Sequence, residues 1–186
     1  MRWLCLLICL SIASTATASR QQADPELRRL LVEAIEAADS FPDRFDAEVW
    51  LLDMSNRLQV FVKDEKTRLN MLRRIHHEAS RVGIHPELVL AVIEIESHFD
   101  PYAVSRAGAQ GLMQVMPFWL DEIGHPDDNL IDIATNLRMG CTILKYYMDM
   151  ERDDLQMALA RYNGSYPRKI YSDKVLSALS KRWRKR

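Results

Sequence analysis

Glycine and proline are scarce in this chain: six and seven among 186 residues. An all-β fold needs a turn every ten residues or so, and so few breakers do not supply them. The same scarcity excludes collagen-like sequences and Gly/Ser linkers. Cysteine is scarcer still, at three, which removes the small disulfide-stapled scaffolds. An excess of charge is missing too: 25 Lys+Arg stand against 26 Asp+Glu, and nothing recommends nucleic acid as a main partner. What is present is globular. With 48% hydrophobic and 27% charged residues, the chain is too apolar to be disordered and too charged for several membrane spans.

The first eighteen residues read as a secretory leader. Arg2 is a short positive start, residues 3–12 (Trp3 to Ile12) form the apolar run, and Ala16-Thr17-Ala18 offers a small-x-small cleavage pattern. The run falls well short of the roughly 20 apolar residues that cross a bilayer, so no stable membrane span is expected. Bulky Ile8 before Cys9, with little apolar chain ahead of it, argues against a lipidation site there. Cleavage after Ala18 also removes Cys5 and Cys9. That leaves Cys141 without an internal partner, and its neighbours Leu137, Met139, Ile143 and Leu144 mark it as an inert core thiol.

The remainder reads as mostly α. Asp24-Pro25-Glu26 is a helix start, followed by Leu27, Leu30, Leu31, Ala34 and Ile35 at helical spacing. Further helices are predicted over about 46–61, 65–82 (closed by Gly83), 87–98, 132–151, 153–163 and 167–183, with a short one over 111–116. The chain divides into a leader over 1–18, a helical N-terminal segment over 19–64 without readable chemistry, and a domain over 65–186.

The informative stretch begins at Glu87. Leu88 to Ile95 is apolar on nearly every face, which marks a buried helix, yet Glu94 and Glu96 sit near its C-terminal end. Desolvation and the negative end of the helix dipole both push a carboxyl pKa upward there. A carboxyl still protonated near neutral pH is what a general acid must be. Glu94 can share a wetter face with Glu87 and His98, and reads as a salt-bridged or solvated residue. Glu96 lies on the Val89–Val92–Ile93 face and is the better buried of the two.

Residues 96–117, Glu96-Ser97-His98-Phe99-Asp100-Pro101 through Ser105, Gly108-Ala109-Gln110-Gly111-Leu112-Met113-Gln114 to Met116-Pro117, resemble the signature of the soluble lytic transglycosylases. Ala158 to Gly164, with Tyr162-Asn163 at its centre, resembles the family's later Tyr-Asn motif, and Asn136 and Gly140 suit its intervening Asn-x-x-x-Gly helix. The likeness covers roughly residues 72–171. One departure stands out: the family usually reads Tyr-Asn-Ala-Gly, and here Gly164-Ser165 follow Asn163 directly.

The resemblance implies a lysozyme-like helical domain with a glycan-binding groove, preceded here by N-terminal helices. It implies cleavage of the β-1,4 bond between N-acetylmuramic acid and N-acetylglucosamine in peptidoglycan, ending in a 1,6-anhydro ring without added water. Glu96 is then the single acid/base and Tyr162 a catalytic partner, its hydroxyl directed at the acetamido group or at Glu96. Ser97, Ser105, Gln114, Met116 and Asn163 are the implied substrate-binding residues, with Ser97 also suited to orienting Glu96 or closing the helix end. Phe118, Trp119, Tyr146 and Tyr147 are candidates for stacking on sugars, though such residues more often pack in a core. No cofactor is implied, and no metal: His76 and His77 are adjacent, and His85, His98 and His125 show no ligand spacing, so all five read as surface or capping residues.

Two alternatives stay open on sequence grounds. One is a goose-type-lysozyme-like hydrolase with a second carboxylate, Asp100 or Asp121, activating water. The other is a catalytically silent peptidoglycan-binding module of an envelope or secretion assembly. The leader points to export into the bacterial periplasm or envelope. The basic end, residues 181–186, reads as a solvated, frayed tail, with attraction to anionic polymers or headgroups as its alternative.

Overall fold

The computed structural model describes residues 29, 31, 32, 39–41, 43–125, 127–152 and 154–184. The leader, most of the helix expected from Asp24, and Lys185 and Arg186 lie outside these residues. The described chain is mostly α, as predicted. Its helices are α1 (Arg44–Leu58), α2 (Glu65–Arg81), α3 (Pro86–Glu96), α4 (Phe118–Ile123), α5 (Ile133–Met150), α6 (Leu155–Tyr162) and α7 (Ile170–Ala178), the last running into a π-helical turn, Leu179–Trp183.

Aspartates start four of them. The carboxylates of Asp43, Asp64, Asp132 and Asp154 accept from the N–H groups of Asp46, Thr67, Thr135 and Met157 at 2.8, 2.7, 2.8 and 3.1 Å. Each such cap holds its helix start by about 1 kcal/mol. At the end of α2, Gly83 adopts φ +72°, while Gly83 N–H and Ile84 N–H donate to Ser80 O and Ala79 O at 3.1 and 2.9 Å. That is a Schellman ending, and it turns the chain toward α3.

Helix α3 is the axle of the fold. Six consecutive residues, Leu88 to Ile93, are buried, which a helix achieves only when neighbours surround it. Its neighbours are α2, α7 and the π-helical turn, while α5 lies against α2 and α6, and α6 against α7. Helix α1 belongs to the same core: Trp50, Leu51, Met54 and Leu58 are buried with it, and α1 touches both α2 and the π-helical turn.

Four expectations need correcting. Residues 111–116 form no helix. Gly111 at φ +73° and Gln114 at φ +49° break the helical run, and Gln110 and Val115 exchange both backbone hydrogen bonds at 3.0 Å instead. The helix expected over 167–183 starts only at Ile170 and widens into the π turn. The basic end is no frayed tail as far as Arg184. Trp183 is fully buried, its ring 5.5 Å from that of Phe99, and Arg57 donates to the carbonyls of Arg182 and Arg184 at 2.6 and 3.1 Å. His76, finally, is half-buried rather than at the surface: it stacks on Phe41 at 3.5 Å, and burial pushes its pKa down to about 4. Cys141 is buried and unpaired, as expected, and burial pushes its thiol pKa upward.

Candidate active site

The two glutamates at the end of α3 have different fates. Glu94 accepts from the indole N–H of Trp183 at 2.7 Å and is ion-paired to Arg182 at 3.2 Å. It is the anchor of the C-terminal turn, in line with its salt-bridged reading. Glu96 has no ion-pair partner among the described residues. Its Oε1 accepts a 2.6 Å hydrogen bond from the hydroxyl of Tyr171 on α7, and burial pushes its pKa up to about 7, with the Tyr171 bond working in the opposite direction. The Tyr171 phenol is itself pushed well above its ordinary range, by burial and then by the nearby Glu96 charge, so it stays a donor.

Glu96 opens onto a hollow of about 350 Å³ whose walls include Ile95, Asn163, Ser165, Arg168, Tyr171 and Lys174. Among the described residues Glu96 is the only carboxylate in that lining. Asp100 is exposed and accepts from Tyr102 N–H at 2.9 Å, and Asp121 is exposed on α4; neither reaches the hollow. Among the described residues no group of three or more His, Cys, Asp or Glu side chains converges on a common point.

Beyond Glu96 the backbone leaves the helix abruptly. His98 and Phe99 take φ +51° and +66°, a left-handed conformation that costs a non-glycine residue about 1–2 kcal/mol. Burial of Phe99 between Phe61 and Trp183, with ring centroids 5.1 and 5.5 Å away, offsets that strain. The loop that follows is docked on α5 by Asn136. Its side-chain oxygen accepts from Met113 N–H at 2.8 Å, and its amide donates to Gln110 O and Leu130 O, both at 2.8 Å. Gly111 and Gly140 make that docking close. A Cβ at Gly111 would lie 2.4 Å from the Asn136 amide nitrogen, and one at Gly140 would lie 2.5 Å from Met113 Sδ.

The remaining expected residues divide between cleft and loop. Asn163 is exposed in the hollow with Glu96. Tyr162 lies within electrostatic range of Glu96, but its hydroxyl donates to Met113 O at 2.7 Å and not to the carboxyl. Ser97 ties the helix end to the loop, donating to Leu112 O at 2.8 Å. Ser105 Oγ accepts from Ala109 N–H at 3.0 Å, and the Gln114 amide donates to Ala103 O and Gly111 O, both at 3.0 Å. Ser105, Gln114 and half-buried Met116 lie outside the hollow around Glu96. Phe118 and Tyr146 are exposed, whereas Trp119 and Tyr147 pack against the core.

Tyr171 is the residue that sequence reasoning missed. A signal existed: Tyr171 and Val175 share one face of α7, and a tyrosine on a core-facing stripe needs a partner for its hydroxyl.

A desolvated carboxyl in an open hollow, held by one tyrosine, can give and take a proton near neutral pH. Comparison with known proteins makes the class specific. The model of the transglycosylase SLT domain matches residues 73–172. The chain belongs to that family. It is 38% identical over 107 residues to the membrane-bound lytic murein transglycosylase F of Desulfosudis oleivorans, covering 54% of this chain and 23% of that one. It is 32% identical over 129 residues to the membrane-bound lytic murein transglycosylase C of Yersinia pestis, covering 59% and 36%. A solved structure of an inactive mutant of the lytic transglycosylase Slt from Pseudomonas aeruginosa aligns with 26% identity and a TM-score of 0.46, over 73% of this chain and 23% of that one. The match thus spans about a quarter to a third of the length of these two curated relatives.

Proposed function

We propose that this chain is a peptidoglycan lytic transglycosylase, exported to the periplasm or cell envelope, with Glu96 as its single acid/base. The observation that carries the proposal is the protonatable Glu96, its pKa raised to about 7, in a hollow that offers no second carboxylate among the described residues. Ordinary glycosidases need two carboxylates, and a site with one calls for a reaction in which the substrate supplies the other function. The relatives' names, lytic murein transglycosylases, supply the substrate class.

The steps would run as the family resemblance implies, with Glu96 placed as follows. Tyr171 donates to one oxygen of Glu96, which leaves the other oxygen to carry the proton. That proton passes to the glycosidic oxygen as the bond from the anomeric carbon breaks. The substrate's own acetamido carbonyl steadies the cationic carbon. The Glu96 carboxylate then takes the proton of the C6 hydroxyl as that oxygen closes on the anomeric carbon. The 1,6-anhydro ring results, Glu96 is protonated again, and no water is consumed. Asn163 offers an amide to sugar substituents in the same hollow, while Ser97, Tyr162 and Gln114 hold the loop beside it. Ser105 and Met116 remain candidates for glycan contact along that loop.

Digestion of peptidoglycan by the full chain and mass spectrometry of the products test the reading. Anhydro ends, one water lighter than hydrolysed ends, are expected. Hydrolysed ends in their place would make the protein a muramidase, and no cleavage at all would make it a binding module.

A further inference from the structure

Helix α1 is apolar on two opposite faces. One of them is core: Ala47, Trp50, Leu51, Met54 and Leu58 are buried along it. The far face of such a helix is ordinarily polar. Here Phe45, Val49 and Leu52 recur on it at spacings of four and three, and they are 73%, 45% and 37% exposed. Asn56, one turn beyond Leu52, and exposed Val60 carry that face to a hollow of about 640 Å³ beside the π-helical turn. None of these residues lines the hollow around Glu96, so the chemistry there does not account for them.

The charges around this stripe are sorted by end. At its start, exposed Asp43, Asp46 and Glu48 outnumber exposed Arg44. At its finish, Lys181 and Arg184 are exposed and line the same hollow as Asn56 and Val60. Asp53 and Arg57, which lie near that end, are paired with each other at 2.8 and 2.6 Å. Glu48, Lys181 and Arg184 have no ion-pair partner among the described residues.

We propose that this face is an interface between two copies of the chain, with their α1 helices antiparallel about a two-fold axis midway between Val49 and Leu52. In that register Val49 of one copy lies opposite Leu52 of the other, and Phe45 opposite Asn56. Residues 53–60 of each copy then face residues 43–48 of its mate. The cations at one end meet the acids at the other, and a two-fold axis makes that match twice. Anionic lipid would meet the same acids with like charge, whereas a face sorted into two signs is complementary to itself. The contact is one helix face about 22 Å long. That is less than the roughly 800 Å² per partner of a standard interface, so the dimer is weak and reversible, with Kd on the order of 1–100 µM.

The test is sedimentation equilibrium of the full chain, expressed with its leader and purified as the cell leaves it, from about 1 to 500 µM. A reversible dimer is expected, weakened by salt. Leu52→Glu, at an exposed position beside the axis, sets two like charges against each other and should weaken the dimer roughly tenfold or more. The melting point of its dilute monomer should stay at the parent value. Glu48→Lys should weaken the dimer about 2- to 30-fold, the size of two exposed ion pairs. Adding Lys181→Glu to that chain exchanges the signs and should restore the parent affinity. A monomer throughout the range overturns the proposal. So does a dimer indifferent to Leu52→Glu, which would lie on another face, and a charge exchange that restores nothing, which would rule out the antiparallel register. If Leu52→Glu changes only binding to phosphatidylglycerol vesicles, or only lowers the melting point of the dilute monomer, the face belongs to lipid or to the chain's own N-terminal segment, and the proposal falls.

Discussion

Glu94 and Glu96 stand two residues apart on one helix end, and the fold treats them as opposites. Glu94 is given a cation and an indole N–H, and its charge is used to fasten the C-terminal turn. Glu96 is given a single neutral hydroxyl and is otherwise desolvated, and its pKa rises to about 7. The difference comes from what α7 and the π-helical turn bring to each side of α3. An ionised carboxylate is stabilised where donors with charge or strong dipoles meet it, and a protonated one persists where they are withheld. The same two elements thus hold a charged, fastened acid on one side of α3 and a desolvated, readily protonated one on the other.

The largest effect that tests this contrast is on rate. Glu96→Gln keeps the shape and the acceptor for Tyr171 but has no proton to give. Activity should fall by roughly 10²–10⁴-fold or more, because one group serves both steps. In the active protein, kcat/KM should be level below pH 7 and fall tenfold per unit above it. Glu96→Gln should move stability in the direction opposite to rate. The folded protein holds the Glu96 proton up to about pH 7, while the unfolded chain releases it near the ordinary 4.5. Stability is therefore lost as pH rises through that window and stays lost above it. Glu96→Gln escapes the loss, on the order of 1–3 kcal/mol, and should melt higher than the parent at pH 8 and alike at pH 4. Thermal melts at the two pH values decide it; an equal or lower melting point at pH 8 would mean that Glu96 is not desolvated.

The next effect separates the cleft from the scaffold beside it. Asn136 binds three backbone groups of the loop and its approach, and for two of them, Met113 N–H and Leu130 O, it is the partner on which they depend. Asn136→Leu fills similar space but strands the Met113 N–H and the Leu130 carbonyl, at about 1–3 kcal/mol each where they stay buried, while Gln110 O keeps the Val115 N–H. A loss of about 2–5 kcal/mol is expected in denaturant unfolding. Activity should fall in step with the unfolded fraction, not through the pH profile.

Much of this was legible before the structure. The buried run of α3, the odd carboxylates at its end and the split between them follow from periodicity and helix electrostatics. The aspartate starts of the helices could be read in the same way. The loop over 111–116 could not. Leu112 and Met113 supply the apolar pair of a helix, but they are buried because Asn136, more than twenty positions away, clamps the backbone in a turn. Tyr171 escaped for a similar reason: its hydroxyl meets a residue 75 positions distant, and no local pattern reports that. Tyr162 carried the recognisable motif, so the role of holding Glu96 fell to it, when its hydroxyl in fact closes a loop carbonyl.

The two tyrosines therefore form a second pair to set against each other. Tyr171→Phe removes the one donor on Glu96, and a bond of that kind is about 1.5–3 kcal/mol, or roughly 10- to 150-fold in rate. Because that donation pulls the Glu96 pKa down, its loss should also move the alkaline limb of kcat/KM to higher pH. Tyr162→Phe should instead cost stability, by about 1–3 kcal/mol, as the Met113 carbonyl loses its donor, and should leave the alkaline limb in place. If the limb moves with Tyr162 and not with Tyr171, the assignment of the holding hydroxyl is reversed.

The smallest effect belongs to Glu94. Glu94→Gln keeps an oxygen to accept from the Trp183 indole and loses only the charge facing Arg182, which is itself partly exposed. A partly exposed ion pair is worth about 0–1 kcal/mol, so the melting point should drop by a few degrees at most. Turnover should stay within about twofold of the parent, since Trp183 and α7 keep their places and Tyr171 still reaches Glu96. Steady-state rates and melts on the same sample decide the point. A large loss of rate with an intact melt would mean that the Glu94 charge reaches the chemistry, and that the two acids are one coupled pair divided only by their partners.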